Sequence, residues 1–361
     1  MSTTVDAAGA PWGLLGQDET VRALARAAAA GAPAHAYLFV GPEGSGKRTL
    51  AICFAQALNC TAPIAGSDPL LTPCGSCRAC RHIAAGTYAD VCIVTLGGPC
   101  NVPEHDHQRD NSRDIKICQV RALEQRLSRA AFEGRWRVEI VDPADALNTQ
   151  SADAFLKTLE EPPPNAVLIL LTAREERLPE TVRSRLRRIE LRRAPLPAVV
   201  ALLRERGVPE ERAVAIARLS AGRAGWALAA ATDPAVLEER AAALDEASRL
   251  YVSGLAERFA SAAALAARWS KDRAAVLHTL DIWMSWWRDV LLSAAGAERG
   301  MVNVDRLDPI RAAAAEIQAA DAARALRALR DARGQLEENA NPRLALEVLM
   351  LRLPERRGSG R

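Results

Sequence analysis

The stretch HAYLFVGPEGSGKRT, residues 35–49, decides the fold. A short apolar run, Ala36 to Val40, enters a glycine-rich turn, and a helical pattern begins at Lys47. A strand, a glycine turn and a helix N-terminus together aim several backbone N–H groups at one phosphate. In this GxxxxGK pattern Gly41, Gly44 and Gly46 shape the turn, and Lys47 reaches the outer phosphates as a point charge. The next position ordinarily carries a Ser or Thr hydroxyl for Mg²⁺. Here it holds Arg48, and Thr49 comes one place later. One residue turns a helical side chain by about 100°, so metal placement is impaired. A glycine turn that keeps the shape without the ligand is the alternative.

Downstream, further apolar runs alternate with helical patterns: Val91 to Val94, Val138 to Val141, Val167 to Leu171, and Ile189 to Leu191. Runs of this kind read as buried parallel strands joined by crossover helices. The α/β texture ends near residue 192. Beyond Pro195 and Pro197 only helical patterns follow, over 198–206, 210–220 and 224–232. A longer helical region then runs to about 353, with breaks near 296–308 and 339–342. Residues 97–113 read as a polar loop insertion, and the last seven residues as a disordered tail.

The chain has 361 residues, enough for two or three domains, and its apolar share of 49% is that of an ordinary globular protein. Aromatics at 4% argue against an all-β architecture, and a net charge of +3 demands no polyanionic partner. No apolar run reaches the ~20 residues of a membrane span. The N-terminal MSTTVDAAGAPWG has neither a basic nor an apolar signal region, so export is not expected.

The eight cysteines are therefore read in a reducing compartment. Cys74, Cys77 and Cys80 form CxxCxxC, with Cys60 upstream at the end of the helix that follows the phosphate loop. Four such thiolates suit a closed, structural Zn²⁺ site. An Fe–S cluster is the competing reading. Cys53, Cys92, Cys100 and Cys118 read as isolated packing or loop residues, with a metal on Cys100, His105 and His107 as the lesser alternative.

An ATPase of this type needs an acidic residue at the end of a second strand, often followed by a base that polarises water. The candidate is Asp142, but Pro143 follows it and carries no base. Asp142 as the N-cap of a helix starting at Pro143 is the competing reading, and Asp145 is then expected to point elsewhere.

Gly16-Gln17 before a helix, residues 35–47, the four-cysteine insertion, VEIVDPADALN (138–148), SADAFLKTLEEPPPNAVLILLTAR (151–174) and TVRSRLRRIEL (181–191) together resemble the bacterial clamp-loader branch of AAA+ proteins. Asp-Pro-Ala-Asp in place of Asp-Glu points, within that branch, to a subunit that does not hydrolyse ATP. The resemblance implies that Arg185, in Ser184-Arg185-Leu186, is an arginine finger offered to ATP on the adjacent subunit. The family's usual Cys after that arginine is replaced by Leu186, and an Arg-rich solvated edge would look alike. Thr172 matches the position that senses the γ-phosphate. The second sensor arginine has no clear equivalent, Gly225 taking its place and Arg223 falling out of register.

The same resemblance implies an AAA+ α/β domain over 1–192 with a zinc knuckle at 60–80, a helical lid over 193–235, and a helical collar over 236–361. It implies a cytoplasmic subunit of a heteropentameric loader for DNA polymerase III. Its partners would be the other loader subunits, and through them the sliding clamp and primer–template DNA. Zinc is the structural cofactor and ATP the candidate nucleotide. The rivals are an ATP-hydrolysing gamma/tau-like subunit using Lys47 and Asp142, and a DNA-reading zinc protein. For the latter, the cysteine module lacks a downstream His pair and recognition helix. Glu160 and Glu161 read as a helix-end turn and subunit contact, and Trp283, Trp286 and Trp287 as one buried helix face.

Overall fold

The computed structural model describes residues 11–65, 71–107, 114–338 and 340–356. Most of the N-terminal stretch read for a signal, part of the 97–113 insertion and the final residues of the tail lie outside them. The chain divides into two compact units. The first takes in the residues up to Glu210 and the segment Gly222–Trp226; the second takes in Glu211–Ala221 and the rest, from Ala227 onward.

The first unit is built on five parallel strands, β1 (Ala36–Val40), β4 (Val91–Val94), β5 (Arg137–Val141), β6 (Ala166–Thr172) and β7 (Arg187–Glu190). Their order is β4-β5-β6-β1-β7. The three central strands are buried at every residue, as near-continuous Val, Ile and Leu runs require when both faces are covered. Helices α1 (Asp18–Ala29), α2 (Lys47–Asn59) and α3 (Arg78–Ala84) cover one face through Val21, Leu24, Phe54 and Ile83. Helices α4 (Ile117–Leu127), α5 (Thr149–Glu160) and α6 (Glu180–Arg183) cover the other through Leu123, Phe155 and Val182. This is the expected parallel α/β layer, with helices on both faces of the sheet. The strands begin or end within two residues of the sequence reading. The cysteine insertion adds a small antiparallel ribbon, β2 (Ile64–Ala65) with β3 (Leu71–Thr72).

Two charged residues in β5 are buried, and both are paired. Arg126 forks onto Glu139 at 2.7 and 2.8 Å. Arg137 meets Asp90 at 2.8 Å, and Asp90 also accepts the backbone N–H groups of Phe132, Glu133 and Gly134, each at 2.7 Å. Helix α7 (Leu196–Glu205) also belongs to this unit.

The second unit holds α8 (Glu210–Ser220), nearly all of its residues, and most of α9 (Ala224–Thr232). Six further α-helices follow among the described residues: α10 (Pro234–Val252), α11 (Leu255–Trp269), α12 (Arg273–Ala294), α13 (Leu307–Glu316), α14 (Ala319–Glu337) and α15 (Pro342–Arg352). The expected breaks near 296–308 and 339–342 are present. Breaks at Gly254, Asp272 and Gln318 were not foreseen, although Asp272 accepts the Ala275 N–H as an N-cap, a signal legible in sequence. Trp283, Trp286 and Trp287 are core, Trp286 and Trp287 lying edge to face at 4.9 Å. Arg258, fully buried, donates all five guanidinium N–H groups to carbonyls: Leu250 and Tyr251 at the end of α10, and Met350, Leu353 and Pro354 at the end of α15.

Candidate functional site

The phosphate loop leaves the C-terminal end of β1, where the neighbouring strands fix it. Gly41 N–H donates to Thr172 O at 3.2 Å, and Leu191 N–H donates to Val40 O at 2.7 Å. A Cβ at Gly41 would sit 2.6 Å from Leu191 O, so only glycine fits there. Gly46, at φ +91°, turns the chain into α2 in a conformation that L side chains rarely adopt. Lys47 Nζ donates to the carbonyls of Gly41 at 2.6 Å and Pro42 at 3.0 Å. Burial pulls its pKa below the usual lysine value, against the pull of Glu43, Asp142 and Asp145.

Asp142 directly follows β5 and faces this loop. The N-cap alternative does not hold: the residue before the 3₁₀ turn Ala144–Ala146 is Pro143, and the Asp142 carboxylate lies 3.5 Å from the Arg48 guanidinium. Burial raises its pKa, with Arg48 and Lys47 opposing. Thr49 is half-buried on the same first turn of α2.

Asp145 corrects a second expectation. Because Pro143 starts no α-helix, Asp145 turns back toward β6, where it accepts Thr172 Oγ1–H at 2.9 Å and Arg174 NH2 at 2.8 Å. Thr172 Oγ1 in turn accepts the Arg174 N–H at 2.9 Å. The Thr172 hydroxyl therefore has its proton committed to Asp145. Asp145 and Arg174 were not singled out from the sequence as site residues, since nothing in their spacing reveals that pairing. Arg223, set aside on register, lies against the loop: its Cβ and Cγ are 3.3 Å from where a Gly44 Cβ would stand.

Arg185 follows α6 at the surface, apart from these groups. NH1 donates to Thr181 O at 2.8 Å and NH2 to Glu160 Oε1 at 2.7 Å. Glu160, at the end of α5, is thus the residue that orients it. The guanidinium is 38% exposed, which leaves part of its planar fork open to solvent.

The four-cysteine cluster assembles as predicted. The Sγ atoms of Cys60, Cys74, Cys77 and Cys80 all lie within 4.8 Å of one another, Cys60 being 3.6 Å from Cys74 and 3.9 Å from Cys77. A tetrahedral Zn²⁺ with Zn–S near 2.3 Å sets sulfurs about 3.8 Å apart. An iron–sulfur cluster divides four thiolates over two or four irons and so spreads them further, whereas this donor set fits one mononuclear ion. Backbone N–H groups of Cys74, Cys77 and Cys80 point at the sulfurs of Cys60, Cys74 and Cys77, at 3.2–3.4 Å. Burial pushes the Cys77 thiol up, but hydrogen bonds from Cys80 and Thr61 outweigh it and bring the pKa down to about 6. Burial raises Cys80 and Cys60. No helix among the described residues is long and apolar enough to cross a membrane.

Residues 16–195 match the family described as DNA polymerase III, delta subunit, and residues 245–355 match its C-terminal counterpart. The delta' subunit of DNA polymerase III from Pseudomonas aeruginosa is 35% identical over 62% of this chain and 63% of its own length. The gamma/tau subunit from Mycobacterium bovis is 28% identical over 94% of this chain and 60% of its own. The delta' subunit from Bacillus subtilis is 26% identical over 89% and 91%. The chain thus spans under two thirds of the length of the first two of these relatives.

Proposed function

This chain belongs to the DNA polymerase III delta-subunit family of clamp-loader proteins, and from that premise we propose that it is a delta'-type subunit that does not hydrolyse ATP itself. It offers Arg185 to ATP on a neighbouring subunit of a heteropentameric, cytoplasmic loader, and so helps place the sliding clamp on primed DNA. In this reading the chain comprises an α/β domain (1–192), a lid (193–235) and a collar (236–361).

The observation that carries the proposal is the Arg48–Asp142 pair. The residue that stands where Mg²⁺ needs a hydroxyl instead sets a guanidinium 3.5 Å from the carboxylate that would serve the metal. A cation on Asp142 competes with Mg²⁺, and Pro143 supplies no base for water. Lys47, Gly41, Gly44 and Gly46 still form a loop that suits the phosphates of ATP, with Arg223 beside it. Cys60, Cys74, Cys77 and Cys80 hold a structural zinc, which the closed four-sulfur set leaves no open position to make catalytic.

The test is ATP turnover by the reconstituted loader with Arg185→Ala. The ring should assemble unchanged, and hydrolysis at the neighbouring site should fall by about 10³-fold or more, as loss of such fingers does elsewhere. Unchanged turnover would remove Arg185 from this role. Turnover by the isolated chain, abolished by Lys47→Ala, would favour the gamma/tau-like alternative.

A further inference from the structure

Strand β4 ends at Val94, yet α4 does not begin until Ile117. The described residues of this connection, 95–107 and 114–116, hold no helix or strand, and loops of such length are uncommon in a compact domain. Its described part buries little apolar surface, Leu96 being 42% exposed, and its first turn hangs on the Gln119 amide, which donates to Thr95 O at 3.1 Å and Gly98 O at 2.8 Å. Into this polar segment converge Cys100, His105 and His107 from the loop and Cys118 from the first turn of α4. One ligand atom from each lies within 4.8 Å of the others. We propose that these four residues bind a second structural zinc ion, distinct from the one on the four cysteines.

The geometry supports a single tetrahedral ion. Cys100 Sγ is 3.6 Å from His105 Nδ1, and Cys118 Sγ is 3.2 Å from His107 Nε2. A zinc with Zn–S near 2.3 Å and Zn–N near 2.0–2.1 Å sets sulfur and nitrogen about 3.6 Å apart. Two thiolates and two imidazoles are a donor set that selects zinc over magnesium or calcium. Val102 N–H, 3.4 Å from Cys100 Sγ, steadies a thiolate there. The rings of His105 and His107 stand 5.4 Å apart at 65°, so both can aim at one point without stacking.

His107 argues for the ion from a different side. It is only 6% exposed, and its Nδ1 is buried with no hydrogen-bond partner among the described residues. In a loop with so little apolar surface, burial of this ring is explained by a ligand role, with Nε2, 3.2 Å from Cys118 Sγ, as the atom turned toward the ion. Cys118 is what the sequence hides: it stands eleven residues past His107 and on a different element, so it read as an isolated packing cysteine. With it the set is closed at four, and the ion would clamp the loop to α4 at the β4 edge of the sheet.

The experiment is metal analysis of the full chain, purified reduced and without chelator. Two zinc ions per chain are expected. The double variant Cys100→Ser/Cys118→Ser should retain one, and Cys74→Ser/Cys77→Ser should likewise retain one. In the Co²⁺-loaded chain, the spectrum lost in the first variant should carry the charge-transfer intensity of two thiolates, and that lost in the second the intensity of four. On the unmodified protein, which needs no variant to fold, Cys100 and Cys118 should resist alkylation until the metal is chelated. One zinc per chain, two zinc ions surviving in the Cys100→Ser/Cys118→Ser variant, alkylation of both thiols without chelation, or a Cys100–Cys118 disulfide by mass spectrometry would each overturn the proposal.

Discussion

Asp90 is 1% exposed and takes four hydrogen bonds, one from Arg137 and three from the turn that precedes β5. Burial works against its charge, but those donors outweigh it and hold its pKa below the usual carboxylate value. A depressed carboxylate stabilises the fold above its unfolded pKa of about 3.9, and that contribution fades as pH falls through the folded value. Asp90→Asn should therefore cost about 3 kcal/mol of urea stability at pH 7, with the gap to the parent chain narrowing below about pH 4. A gap that stays constant with pH would mean the carboxylate's charge is not what holds the turn. At this scale the candidate site was only partly legible. Gly41, Gly44, Gly46, Lys47 and the four cysteines are legible from motif spacing, because a phosphate turn or a metal knuckle is local in sequence, whereas Asp142 was read from a strand end and Thr172 from the resemblance alone. Asp145, Arg174, Arg223 and Cys118 are brought in from other elements by tertiary folding, and no spacing announces them.

Arg258 binds two helix ends into one structure. The last carbonyls of a helix have no intrahelical partner and carry the negative end of its dipole. Here a single guanidinium serves α10 and α15 together, in a site where burial lowers its own pKa. Arg258→Met would strand five carbonyl contacts and should destabilise the helical unit by about 3–5 kcal/mol, read from the fluorescence of Trp283, Trp286 and Trp287 during denaturation. Arg258→Lys should restore little, since an ammonium cannot span the same fork. The elements themselves were largely readable. The central strands β1, β5 and β6 are largely apolar runs of the kind that two covered faces demand, and α8 and α9 fall where their patterns place them. The β2–β3 ribbon and the helix break at Gln318 were not readable: the ribbon strands are only two residues long, and Gln318 caps its helix without the usual Ser, Thr, Asp or Asn.

For the molecule as a whole, a net charge of +3 on 361 residues gives little long-range attraction to DNA. The isolated chain should hold primed duplex no more tightly than about 10⁻⁶ M at physiological salt, by fluorescence anisotropy, with the loader ring supplying the rest. Sub-micromolar, steeply salt-dependent binding would instead make this chain a DNA reader in its own right. One small contact sets how the α/β unit would respond to loss of its cysteine-bound ion. Asn59, the last residue of α2 and the neighbour of Cys60, accepts the N–H groups of Arg135 and Trp136 at 3.0 Å each and donates to Trp136 O at 3.1 Å. It ties the helix to the start of β5 just before the chain enters the knuckle, while α3 remains held by Ile83 and by the Gln56 amide on Cys80 O at 2.8 Å. The knuckle is therefore an opening unit bounded on both sides. In amide exchange, chelation should unprotect Cys74 and Cys77 and leave Phe54, Ile83 and Trp136 as slow as before.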